Sequence, residues 1–343
     1  MPFSMALTPG FSQCDTAGNM HFPRYMEAMN NLVEAWFRER MDVDFHAFHL
    51  KDRLGLPVVN TRLEINSPSQ LGERLSVQIG VETLGRSSLV VRATGHCNGE
   101  PRFTIRHRLV FISLENYRAI AIPAQLLPLL EAERLTPPAS SVDPLLPAGP
   151  VPVTAHRTRL TVRTSHCDPA GIVFYARYFE MLAEAQEDWF ERGLLLPVGR
   201  LLRERGRRLA VDAMSAGFER VSRLSDPLDI DLWVSALDDR GFTLSFVVSC
   251  AGEVRLRAGM EARLQSADEE HDSDIDKPGD SDQTNQQYED QRESAALEDN
   301  DAQRMSSAQS LLLAQEELAP QPMRRHADLP DDLREWMGHY STP

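Results

Sequence analysis

A chain of 343 residues with 42% hydrophobic content has the size for two or three domains with real cores. It contains no run of 18 apolar residues, which argues against a membrane-spanning helix, and its first residues lack the basic and apolar regions of a secretory leader, so it reads as cytoplasmic. The net charge of −15 is local: residues 268–320 hold 16 acids against Lys277, Arg292 and Arg304, leaving −2 for the rest, whose arginines are interleaved with acids in a way that argues against a nucleic-acid surface.

In chain order, a short strand leads into "SQCDTAGNMHF" and then into a helix expected over Phe22 to about Met41. Leu75, Val77, Ile79 and Val81 alternate with other residues, the period of a half-buried strand. The stretch "HRLVFISLENYRAIAIPAQLLPLL" reads as a strand, a turn at Pro123 and a short helix. A proline-rich spacer, residues 136–153, follows. The same elements then return. "SHCDPAGIVFYARYFEML" opens a helix expected over Tyr175 to about Arg192, with Tyr178, Phe179, Leu182, Ala185 and Trp189 on one apolar face. Alternating strands are expected around Leu228 to Val234, Leu244 to Cys250 and Val254 to Met260.

The return is a repeat at a constant offset of 153. Cys14, Asp15, Ala17 and Gly18 fall on Cys167, Asp168, Ala170 and Gly171; Arg24, Tyr25 and Glu27 fall on Arg177, Tyr178 and Glu180; Trp36 and Phe37 fall on Trp189 and Phe190; "CNGE" falls on "CAGE". One long helix followed by antiparallel strands, twice, predicts an α+β chain of two similar domains, residues 1–135 and 154–343. Pro123 finds its counterpart at Pro330, offset by 207, so residues 266–320 read as an acidic, disordered insertion ahead of the second domain's C-terminal segment. That insertion is either a solvated linker or a partner-binding arm. None of Cys14, Cys97, Cys167 and Cys250 stands in a C-x-x-C pair; small buried thiols are expected, with no metal site.

Read alone, Asp168 is a turn residue and a helix cap. The string "CDPAGIVFYARYFE", however, resembles the active-site turn of hotdog-fold acyl-CoA thioesterases of the 4-hydroxybenzoyl-CoA thioesterase type, and "YRAIAIPAQL" resembles that family's C-terminal end. The resemblance covers both repeats and implies a double hotdog, each half a long helix wrapped in a curved antiparallel sheet. It implies hydrolysis of acyl-CoA or acyl-carrier-protein thioesters with no cofactor, by a monomeric double hotdog or a homo-oligomer of it. By the same resemblance the catalytic carboxylate is Asp168, with Asp15 as its counterpart. The backbone N–H that polarises the carbonyl belongs to Tyr175, with Phe22 as its counterpart.

The chemistry is self-consistent. The first N–H groups of a helix lack partners and lie at the positive end of its dipole, so they can hold a developing oxyanion. Gly171, and Gly18 in the first copy, lets backbone approach a ligand closely. A carboxylate there can attack the thioester or activate water. The first copy departs from the pattern, with Asn19 and His21 where the second has Ile172 and Phe174; these two are candidates to contact a polar substrate. Arg86 and Arg240 are candidates for the phosphates of CoA, since the family places basic residues in such strand turns. An enoyl-CoA hydratase and a non-catalytic acyl-CoA sensor on the same fold are the competing readings.

Overall fold

A computed structural model describes residues 2–136, 145–238 and 241–266. Arg240, the acidic insertion beyond Ser266, the expected C-terminal segment and part of the proline-rich spacer lie outside the described residues.

Strand β1 (Phe3–Leu7) precedes the first turn and helix α1 (Phe22–Met41) follows it. Pro23 suits the first turn of a helix, where its missing N–H has no partner to lose. Phe22, Tyr25, Met26, Met29, Leu32, Val33, Trp36 and Phe37 are buried, a three- and four-residue spacing that turns one face of α1 inward. The chain continues through β2 (Leu54–Gly55), β3 (Val58–Ile65), β4 (Leu75–Leu84), β5 (Ser88–Cys97), β6 (Glu100–Val110), β7 (Ile112–Ser113) and α2 (Leu127–Ala132). The second half holds β8 (His156–Thr161), α3 (Tyr175–Asp188), α4 (Val198–Arg205), β9 (Arg207–Phe218), β10 (Pro227–Leu237), β11 (Phe242–Cys250) and β12 (Glu253–Ser266).

Ten strands form one antiparallel sheet in the order β1-β4-β5-β6-β3-β9-β12-β11-β10-β8, while β2 and β7 pair separately. Each strand of the first half occupies the same place from its edge as the strand about 153 residues later does from the other edge. β3 and β9 meet in the middle, with Asn60 opposite Gly217 and Glu64 opposite Ala213. Midway along that ladder Arg62 faces Ser215, its own counterpart in the repeat, and donates to the Ser215 Oγ at 3.4 Å.

The two helices meet through a matched set of charges. Arg177 donates to Glu27 and to Glu180 at 2.7 Å each, and Arg24 bonds the same two carboxylates. The inner faces of the strands supply the rest of the core: Leu75, Val77, Ile79 and Val81 on β4 are buried, as are Leu228, Ile230, Leu232 and Val234 on β10. No helix among the described residues is long and apolar enough to cross a membrane.

Three features differ from the sequence expectations. α3 ends at Asp188 and gives way to a π-turn, Trp189–Gly193, closed by Leu194 N–H on the Trp189 carbonyl at 2.9 Å. The wider turn keeps both Trp189 and Phe190 buried, and a Cβ on Gly193 would lie 2.6 Å from the indole. Cys97 and Cys250 are buried thiols, but Cys14 and Cys167 are only partly buried, because they lead into the exposed ends of the two aspartate turns. The chain after α1 also holds a π-turn, Ala47–Lys51, that no periodicity announced.

Candidate active site

The sequence Asp-Pro-Ala-Gly folds as a tight turn that holds its own acid. The Asp168 N–H donates to the Ile172 carbonyl at 2.9 Å, and the Gly171 N–H donates to the Asp168 carbonyl at 2.9 Å. Gly171 has φ of +76°, a conformation that suits glycine. One carboxylate oxygen, Oδ1, accepts the N–H groups of Ala170 at 2.9 Å and Ile172 at 3.4 Å. Neither of these two bonds reaches Oδ2. Ser222 ties the turn down: its carbonyl accepts the Val173 N–H at 2.9 Å, and its hydroxyl accepts the Tyr178 hydroxyl proton at 2.7 Å. Helix α3 begins directly after, so Tyr175 presents one of the N–H groups that have no acceptor inside the helix.

The first turn repeats this frame. Asp15 Oδ1 accepts the N–H groups of Ala17 at 2.9 Å and Asn19 at 3.0 Å, and Gly18 has φ of +80°. Its surroundings differ. Asp15 is exposed, whereas Asp168 is half-buried in the wall of a cavity of about 1050 Å³, which is at the upper end of the usual size for a ligand pocket. The cavity combines both halves. The second half contributes Asp168, Ile172, Phe174 and Tyr175; the first contributes Asn30 and Glu34 from α1, His49 from the π-turn, and His107 and Leu109 from β6.

The expected residues divide accordingly. Asp168 and Tyr175 line the cavity, and Gly171 stands between the lining residues Ala170 and Ile172. Asp15, Gly18, Asn19, His21 and Phe22 belong to the other turn and do not line it. Asn19 is buried, and His21 packs edge-on against Phe22 with ring centroids 5.1 Å apart. Burial pushes the His21 imidazole below its ordinary range. Arg86 is exposed in the turn between β4 and β5, and it too is not a lining residue. Arg240 lies outside the described residues.

Electrostatics sharpen the difference between the turns. Burial pushes the Asp168 carboxyl above the usual carboxylate range; the N–H groups of Ile172 and Ala170, the charge of His49 and the N–H of Gly171 pull the other way. Deeper in, His107 is fully buried and loses its charge readily, its pKa brought down to about 4 by burial. Its Nε2 lies 3.1 Å from the Tyr175 hydroxyl, which also contacts the Met26 carbonyl at 2.9 Å. Burial pushes that phenol well above the ordinary tyrosine range. Asn30 donates to Glu34 at 2.7 Å on the α1 side.

His49, His107, Asn30 and Glu34 were not anticipated. His107 had a signal in the sequence: it interrupts the inward alternation Phe103, Ile105, His107, Leu109 on β6, where the second half has Met260. The others had none, because their role depends on one half covering the turn of the other.

A sequence model described as the thioesterase-like superfamily matches residues 9–130 and 162–337. No curated protein matches the chain. Among solved structures, a Lactobacillus plantarum protein assigned as an oleoyl thioesterase is similar over 77% of this chain and 95% of its own, with 14% identity and a TM-score of 0.64. The 12:0-ACP thioesterase of Umbellularia californica covers 77% and 94%, at 14% identity and a TM-score of 0.63. An acyl-ACP thioesterase of Bacteroides thetaiotaomicron covers 76% and 97%, at 15% identity and a TM-score of 0.60. At such identities the likeness establishes the fold: this is the hotdog fold of thioesterases, an α+β architecture.

Proposed function

The chain belongs to the thioesterase-like superfamily, and we propose that it hydrolyses acyl thioesters of CoA or acyl-carrier protein at a single site built on Asp168. The observation that carries this reading is the pairing of a turn-held carboxylate with a helix N-terminus in the wall of one large, mainly apolar cavity. Both halves serve that one site, as two hotdog domains of a double hotdog. The family match running on to residue 337 supports reading the C-terminal segment as the end of the second domain.

The acyl chain lies among apolar side chains such as Val33, Leu56, Val58, Leu109 and Phe174. Its thioester carbonyl accepts the Tyr175 N–H at the positive end of α3, where charge gathers on oxygen as the tetrahedral intermediate forms. Asp168 takes a proton from water while the water oxygen bonds to the carbonyl carbon. Burial, by raising its proton affinity, suits the carboxylate to that task. The carbon–sulfur bond then breaks, its electron pair leaving with the thiolate.

The polar equipment is one-sided. At the offset of 153, His49, His107, Asn30 and Tyr175 on the Asp168 side correspond to Leu202, Met260, Ala183 and Phe22 on the Asp15 side. Asp15 keeps the turn without the surroundings. The test is thiol release from a panel of acyl-CoA and acyl-carrier-protein substrates. Asp168→Asn should lower kcat/KM by about 10²- to 10⁴-fold, the contribution of a general base, and Asp15→Asn should leave it within a factor of about three. Absence of turnover by the wild type on every substrate would sink the proposal.

A further inference from the structure

We infer that His49 is the proton partner of Asp168, protonating the departing sulfur. This rests on the thioesterase reading and adds a residue to it from the other half of the chain. His49 and Asp168 stand in the wall of the same cavity, one on the first half's π-turn, the other on the second half's aspartate turn.

The imidazole is held in place. Its Nδ1 lies 2.9 Å from the Phe45 carbonyl, so that nitrogen carries a hydrogen and donates it. The ring stacks on Phe45, with centroids 5.5 Å apart and an interplanar angle of 27°, and meets Phe48 edge-on at 5.5 Å. With Nδ1 committed, Nε2 is the nitrogen left to exchange a proton. The other titratable or charged groups around the cavity are Glu34, His46, His107, Tyr117, Cys167, Tyr175, Arg177, Tyr178, Glu219, Arg220 and Arg255. The charge of His49 favours the Asp168 carboxylate, and that carboxylate in turn helps to push up the adjacent Cys167 thiol. At the repeat offset of 153 residues His49 corresponds to Leu202.

The proton account closes. Asp168 takes one proton of water as the C–O bond forms. The C–S bond breaks with its electron pair on sulfur, and the Nε2–H of the His49 imidazolium passes its proton to that sulfur. The proton on Asp168 then moves to the neutral imidazole, restoring carboxylate and imidazolium. Water and thioester have become carboxylic acid and thiol. An imidazolium is acid enough, because a thiolate is a modest base.

The test compares two leaving groups with one acyl chain: CoA, whose thiolate gains from a proton, and thiophenol, whose thiolate leaves without one. In His49→Gln and His49→Asn, kcat/KM for the CoA ester should fall at least tenfold while the thiophenyl ester falls less than threefold. The alkaline limb of the CoA-ester profile should disappear. In the unmodified enzyme the solvent deuterium isotope effect should be larger for the CoA ester than for the thiophenyl ester, a readout that needs no variant. Equal losses on both esters, or equal isotope effects, would overturn the assignment and leave His49 as packing. A wild type that cleaves neither ester would instead overturn the thioesterase reading beneath it.

Discussion

Asp168 is held by its backbone in the wall of the cavity, with one carboxylate oxygen resting on the N–H groups of Ala170 and Ile172. His107 shows what that environment costs a second titratable group. Its folded pKa of about 4 lies below the 6.5 of an unfolded histidine, so between those values the unfolded chain binds the extra proton and stability falls as pH falls. The group should therefore remove about 3 kcal/mol between pH 7 and pH 4. His107→Met, the residue of the other half, should lose that much less stability over the same range in denaturant titrations. Equal losses in both proteins would show that His107 does not govern the acid sensitivity. At this scale the sequence was legible where the local geometry is contiguous. Asp168, Gly171 and Tyr175 form one turn and helix start, a string that the family resemblance singled out. His49 is over a hundred residues from Asp168 and shares no periodicity with it. Only the fold brings the two into one wall.

Among the elements, the helices and the main strands were legible because their apolar periods are strong. α1 spans Phe22–Met41 as its face predicts, and β4 buries the alternating residues named from the sequence. The central strands β3 and β9 were harder to read. Small and polar residues interrupt their apolar pattern, Thr61 on the helix side and Ser215 and Gly217 on the opposite face. The π-turn carrying His49 escaped too, since a single wide turn leaves no repeat to detect. α1 also ends unfavourably. Asp42 is exposed, caps the helix in the left-handed region at φ of 53°, and puts an acid at the negative end of the dipole. Asp42→Gly relieves both penalties and should raise the unfolding free energy by about 1 kcal/mol, measured by urea denaturation with activity unchanged. A loss of stability would mean that the carboxylate makes a contribution the cap geometry does not reveal.

For the whole molecule, the duplicated turns promise two sites, but the polar residues gather around one. A non-cleavable thioether analogue of the acyl-CoA should therefore bind with a stoichiometry of one per chain by calorimetry, and Asp168→Asn should alter its affinity more than Asp15→Asn. A stoichiometry of two would show that the exposed turn still takes substrate. The same asymmetry is written at the middle of the sheet. Were two identical chains to pair along β3 as the halves do along β3 and β9, position 62 would be forced to meet itself, guanidinium against guanidinium. Here Arg62 meets Ser215 instead, a small hydroxyl that accepts its hydrogen bond. Joining the copies in one polypeptide released each position from being its own neighbour. The freedom that lets an arginine face a serine on the axis is the freedom that lets one half lend its histidines to the wall of the other half's cavity.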